Sequence, residues 1–365
     1  MAFYLYTMLQ RGSSQDRAGV LCAAVPMGEM WVPQFPAPGD RVIEGITDIR
    51  ESASVAHIYG KDIVAAESLT CGGLTGSAFS YCPENLKRTA DYEFSAGVTQ
   101  FVIHSSAHQP VDDKTPGIGL GQYGQWFHRN ETWTPQAKVW TDYIARSCYL
   151  LSQGKAVADV LWFYGEDSNA SALYSKRLHD IPDSYNYDYA SPDVLYNKIS
   201  VSGGDLVTES GMKYKLLVID PAIVRMSEKM LERLLSLARE GAVLCGGIPY
   251  LCASLKDDPA RFRATREKLV SLPNVYDGVS CAEMLGNIGV SPDFIHPENI
   301  DMLYVHRCLD DKEIYWVKSL SYDEVIADVS FRTCGRVPEL WRPDDGSIEA
   351  VSYRIDRLRE EQKFD

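Results

Sequence analysis

A chain of 365 residues, 45% of them hydrophobic, can bury at least two separate cores, so a multi-domain globular protein is expected. Its 36 Lys and Arg stand against 50 Asp and Glu, a formal charge of −14, with the acidic residues scattered along the chain. That balance disfavours nucleic acid and anionic membranes as partners, because the basic footprint that counterion release requires is missing, and a neutral or cationic small molecule fits better.

The N-terminal stretch MAFYLYTMLQRGSSQDRAGVL has no charged region followed by an apolar one and a small-residue cleavage site. No run of about 18 apolar residues follows it, so neither a signal peptide nor a membrane span is expected in this chain. VLCAAVPMGEMW then reads as a strand ending in a loop, and RVIEGITDIRESASVAHIYG has helical spacing and closes on Gly60 as a C′ residue. KDIVAAESLT is a buried strand with a polar end, and GVTQFVIHSSAHQP repeats that pattern. TPQAKVWTDYIARSCYLLSQG is an amphipathic helix with Pro135 near its first turn, and ADVLWFYGEDS reads as a further strand of the same kind. Strand, loop, helix and strand in this order predict parallel βα units. These strands end in ionisable residues, Glu29, Glu67, His104 with His108, and Glu166. In a (β/α)8 barrel the C-terminal strand ends form the floor of the active site, which is where such residues meet.

Residues 171–200 change character, being rich in Tyr, Asp, Ser and Pro, and read as a connection over the barrel mouth. YKLLVIDPAIVRMSEKMLERLLSLAREGAVLCGGIP gives a βαβ unit of a small doubly wound domain; its LCGGIP lacks the spacing and the Lys of a phosphate loop. After about residue 300 the period becomes two, with an Asp-Gly turn at 345 and 346, as in the opening strands of a β-sandwich. The expected division is 1–170 for a partial catalytic barrel, 171–298 for the α/β domain with its connecting segment, and 299–365 for an incomplete sandwich. A barrel takes about 250 residues, so a fragment lacking the N-terminal part of the barrel and the C-terminal modules is expected.

Glycoside hydrolysis needs two carboxyl groups flanking one bond, one protonated and one ionised. The apolar approach to Glu67 in AAES favours a protonated general acid there, and Glu166 in YGED, beside Asp167, is the first choice for the base. His104 and His108 would share one loop within reach of sugar hydroxyls; HxxxH pairs on a metal only when helical. The 7 Trp and 21 Tyr include several rings in Gly- and Pro-punctuated loops, suited to the apolar face of a pyranose as well as to a core. The 9 cysteines form no CxxC and are odd in number, and read as buried small hydrophobes in a reducing compartment.

The motifs PMGEMW, ASVAHIYGKDIVAAESLT, PENLKRTADYEFSAGVTQFVIHSSAHQP, GQWFHRNETW, RSCYLLSQGKAVADVLWFYGED, YDYASPDVL, HRCLDDKEIYWV and SFRTCGRVPELWRPDDG, in this order, resemble glycoside hydrolase family 106, the α-L-rhamnosidases. The resemblance implies the C-terminal part of an irregular (β/α)8 barrel, a flavodoxin- and amidotransferase-like α/β domain, and β-sandwich modules. It also implies polysaccharide degradation by removal of terminal rhamnose with inversion, a calcium ion near the sugar with ligands unassigned, and full-length relatives that are periplasmic or secreted. Carried over to this chain, Glu67 and Glu166 are the carboxylates at the sugar, with Glu29, His104, His108, Trp133 and Asp188 as pocket residues. Which carboxylate is acid and which is base stays open. The rival expectations are a retaining β-galactosidase-like enzyme and a carbohydrate-binding fragment without turnover.

Overall fold

The structure is a computed structural model that describes residues 24–32, 45–71, 79–121, 123, 126–167 and 179–355. The start of the first expected strand (20–23), and residues 171–178 of the connecting segment, lie outside the described residues. Short apolar runs form β1 (Met27–Trp31), β2 (Ala65–Thr70) and β3 (Gln100–Ile103). These strands are parallel, in the order β1-β2-β3, because helices α1 (Ile46–Tyr59) and α2 (Pro83–Ala96) carry the chain back between them. Gly60 ends α1 in the left-handed region, φ 66°, and donates its N–H to Ala56 O, as its place in the sequence predicts. Met30 and Ala66 of the sheet pack with Ile49, Tyr92 and Ala96 of the helices. Strand period two then turns Glu29 and Glu67 to the opposite face. The helix lies so close that a Cβ on Gly28 would stand 3.0 Å from Asp48 O and Ile49 N.

Behind β2, the Ser68 hydroxyl donates to Glu93 of α2, whose side chain is fully buried. Burial pushes the Glu93 carboxyl well above its ordinary 4.5, although the Ser68 bond works the other way. An acid whose folded pKa is raised contributes stability below its unfolded pKa, and that contribution is lost as pH rises toward the folded value. Glu93→Gln keeps a neutral group of the same shape, so its urea midpoint is expected to gain on the wild type between about pH 5 and about pH 8. A difference independent of pH would mean that folding does not raise the Glu93 carboxyl's pKa.

Helix α3 (Ala137–Leu151) lays Trp140, Tyr143, Ile144 and Leu151 against Leu86, Ala90 and Phe94 of α2. Past a two-residue strand, Lys155–Ala156, β4 (Val160–Phe163) corrects the sequence reading: it belongs to a second sheet and not to the one that holds Glu67. It pairs in parallel with β5 (Tyr187–Ala190) and β6 (Leu216–Ile219), and β7 (Leu244–Gly246) and β8 (Val275–Asp277) complete the order β8-β7-β6-β4-β5. Numbered along the chain, that is the doubly wound order 2-1-3-4-5 of flavodoxin type. The physical reason lies in VLWF: Leu161 and Phe163 fill one core and Val160 and Trp162 another, so the strand is covered on both faces. The second unit thus begins at about residue 158, ahead of the expected boundary at 170. Within it α4 (Glu228–Arg239) buries Met230, Leu231, Leu234 and Leu235 behind Ser227, which caps it by accepting from Met230 N.

β5 is an edge strand, and α1 covers it. Ser54 Oγ accepts the Tyr189 N–H at 2.9 Å while donating to Arg50 O, which occupies an edge group that would otherwise invite another strand. After residue 300 the period-two pattern gives β9 (Met302–Cys308) and β10 (Glu313–Ser319), an antiparallel pair. This hairpin packs onto the first unit, with Val305 and Trp316 against the α2 and α3 core and Leu303 against the first sheet's helices. The strands Glu339–Trp341 and Ile348–Ala350 pair with each other through exposed residues. Among the described residues no helix is long and apolar enough to cross a membrane. Eight described cysteines are free; Cys71, Cys245 and Cys281 are buried as expected, whereas Cys308 and Cys334 are exposed.

Candidate active site

The pairing of β1 with β2 sets Glu29 opposite Glu67, and that of β2 with β3 sets Glu67 opposite Val102. Adjacent strands run about 4.8 Å apart, so the two glutamates stand side by side on the face turned away from the helices. Val102, 37% exposed, continues the row as an apolar neighbour. The Glu29 N–H, on the free side of edge strand β1, donates to Asp48 Oδ2 at 2.7 Å, and the Glu29 carboxylate accepts from Trp31 Nε1. Glu67 is half-buried, and its carboxylate takes no hydrogen bond from a described residue.

His104 closes β3, its N–H bonded to Ser68 O at 2.9 Å; its Nδ1 is buried and unpartnered among the described residues. His108 is exposed four positions on, in a loop. The remaining residues expected at the sugar are engaged elsewhere. Trp133 donates Nε1 to Tyr81 O at 3.2 Å and sets its ring edge-on to Phe127, which anchors its loop. Glu166 follows β4, in the second sheet, and accepts from both the N–H and the hydroxyl of Ser227, each at 2.7 Å. It therefore ends no strand of the Glu67 sheet, and no described contact joins it to Glu29 or Glu67. Asp188 is fully buried in β5, bonded to His57 Nδ1 at 2.9 Å and to the Tyr214 hydroxyl at 2.8 Å, with no surface to offer a sugar.

Sequence reasoning passed over Trp31 and Tyr123. The two residues are 40% and 48% exposed, their ring centroids 6.0 Å apart and planes at 85°, with Trp31 bonded to Glu29. The signal was available: a Trp two places after a strand Glu lies on the same face.

Calcium takes six to eight oxygen ligands. Glu29 and Glu67 are donors of the right kind, but no group of three or more His, Cys, Asp or Glu that could hold a metal occurs among the described residues. Two carboxylates alone fall short of that shell.

Parallel strands bring two carboxyl groups onto one face with aromatic rings beside them, and a pair of carboxyl groups is what glycoside hydrolysis uses. The chain belongs to the α-L-rhamnosidase family, glycoside hydrolase family 106, whose profile matches residues 16–355. It is similar to the structure of a rhamnosidase from Novosphingobium sp. PP1Y, with TM-score 0.85 and 34% identity over 93% of this chain and 33% of that one. A putative beta-glucuronidase of Formosa agariphila is 31% identical over 305 residues, 81% of this chain and 25% of that protein. The chain thus spans a quarter to a third of the length of these relatives.

Proposed function

We propose that this chain carries the catalytic carboxylates of a glycoside hydrolase that removes terminal α-L-rhamnose from plant or microbial glycans. The observation that carries the reading is the register of β1 on β2, which stands Glu29 beside Glu67 on the open face. In the inverting form of the reaction, Glu67 gives its proton to the glycosidic oxygen while Glu29 takes one from the water that attacks the anomeric carbon. The Trp31 N–H, which donates to Glu29 Oε1, holds that carboxylate in place beside Glu67. A neutral deoxysugar also suits a row of two glutamates in a chain of net charge −14, whereas a glucuronide would add a third carboxylate. A calcium requirement, checked by the rate after exhaustive chelation, rests on the family resemblance alone.

Retention is the second reading, favoured by the neighbouring register of Glu29 and Glu67, since retaining carboxyl pairs stand closer, about 5–5.5 Å apart, than inverting pairs at about 6.5–9.5 Å. Proton NMR of the first-formed sugar during hydrolysis of an aryl α-L-rhamnoside by the intact protein separates them. β-L-rhamnose is expected; α-L-rhamnose as the first product selects retention, and no release at all leaves a carbohydrate-binding role.

A further inference from the structure

We infer that Trp31 and Tyr123 form the wall on which the terminal sugar stacks, and that Trp31 also positions the Glu29 carboxylate. The inference rests on the glycosidase reading above and names the part of that site which recognises the sugar. Trp31 ends β1 two residues beyond Glu29, so both side chains rise from the same face. Its indole N–H is spent on Glu29 Oε1, which fixes the ring's orientation, because rotating the ring breaks that bond. Tyr123 stands edge-on against it, the planes 85° apart, and the two rings make a corner. Packing against each other does not consume them, for 40% of Trp31 and 48% of Tyr123 stay exposed.

A pyranose matches both halves of this surface. Its axial C–H bonds present an apolar face that lies on an aromatic ring, and the hydroxyls at its rim seek the carboxylates. A 6-deoxyhexose adds a methyl where other hexoses carry a hydroxymethyl, which widens the apolar part that two rings at a right angle can hold. The pairing of Glu and Trp is not by itself the mark of a site. Glu339 and Trp341 repeat it, with Trp341 Nε1 donating to Glu339 at 3.0 Å in an exposed strand pair. What distinguishes Trp31 is its company, a second carboxylate in register and a second exposed ring.

Three variants of the intact protein, assayed on an aryl α-L-rhamnoside, separate the two roles of Trp31. Trp31→Phe keeps a ring and loses the N–H, so kcat is expected to fall about tenfold while KM stays within about twofold. Trp31→Ala loses both, and KM is expected to rise about tenfold as well; Tyr123→Ala is expected to raise KM by about threefold to tenfold with a smaller change in kcat. Saturating L-rhamnose is expected to change the tryptophan emission of the wild type and to leave that of Trp31→Phe unchanged. Wild-type KM in Trp31→Ala, together with an unaltered emission response in Trp31→Phe, would overturn the proposal and give the rings to another surface of the protein. The emission readout also works in the absence of turnover. A response lost with Trp31, in a protein that releases no sugar, keeps the wall and removes the hydrolase reading.

Discussion

Replacing Glu67 by glutamine is expected to lower kcat on an aryl α-L-rhamnoside by about 10³-fold, with KM changed by less than about threefold, since general acid–base groups contribute about 10²–10⁴-fold. The expectation comes from where β2 holds the side chain. Glu67 is in register with Glu29, rises from the open face, and takes no bond from a described residue, so the substitution breaks no described contact. Glutamine fills the same volume and cannot deliver a proton, and the loss therefore reads chemistry and not folding. The leaving group then tells which chemistry. A more acidic phenol needs less help in departing, so the deficit of Glu67→Gln shrinks with such a substrate if Glu67 is the acid. A deficit that stays constant across phenols moves Glu67 to the water-activating side. A rate equal to the wild type removes it from the reaction, whatever the outcome at Glu29.

The first three strands were legible because their apolar runs are short and end in polar residues, and Glu29 and Glu67 were visible as those ends. Their adjacency was not, because register is a property of two strands and appears in neither one alone. The same grammar misplaced Glu166. A βα unit of a barrel and one of an open doubly wound sheet share the order strand, polar end, helix. The clue that separates them is the content of the strand: AAES breaks its apolar run with Glu67 and Ser68, while VLWF is apolar throughout and is buried on both faces. Asp188 had no such local pattern behind it. The resemblance alone put Asp188 at the sugar, and the docking of α1 on the edge of the second sheet encloses that acid instead. The partner that buries it, His57, lies 131 positions earlier, beyond any local pattern. The hairpin after residue 300 was readable by its period, but what it packs on was not: Val305 and Trp316 reach a core made by α2 and α3.

Asp188→Ala is expected to destabilise the fold by about 3–5 kcal/mol near neutral pH, the cost of removing one partner of a buried charged group. The carboxylate has no exposed surface, and its two oxygens hold His57 of α1 and Tyr214, so the change leaves both without their acceptor. Burial alone pushes the Asp188 carboxyl up; His57, the Tyr214 hydroxyl and Arg50 outweigh it and hold the carboxyl below its ordinary 3.8. A depressed carboxyl stabilises the fold above its unfolded pKa, and that stability is lost as pH falls through the folded value. The gap between wild type and Asp188→Ala in urea midpoint should therefore be full near neutrality and narrow below about pH 4. An equal gap at both pH values would mean that the lost volume, and not the charge, is what the fold misses. The consequence reaches the active site, because α1 is one rigid element with His57 at one end and Asp48 at the other, and Asp48 holds the Glu29 N–H. Urea concentrations that release α1 in Asp188→Ala, while the wild type stays folded, are thus expected to abolish rhamnoside hydrolysis in the same transition.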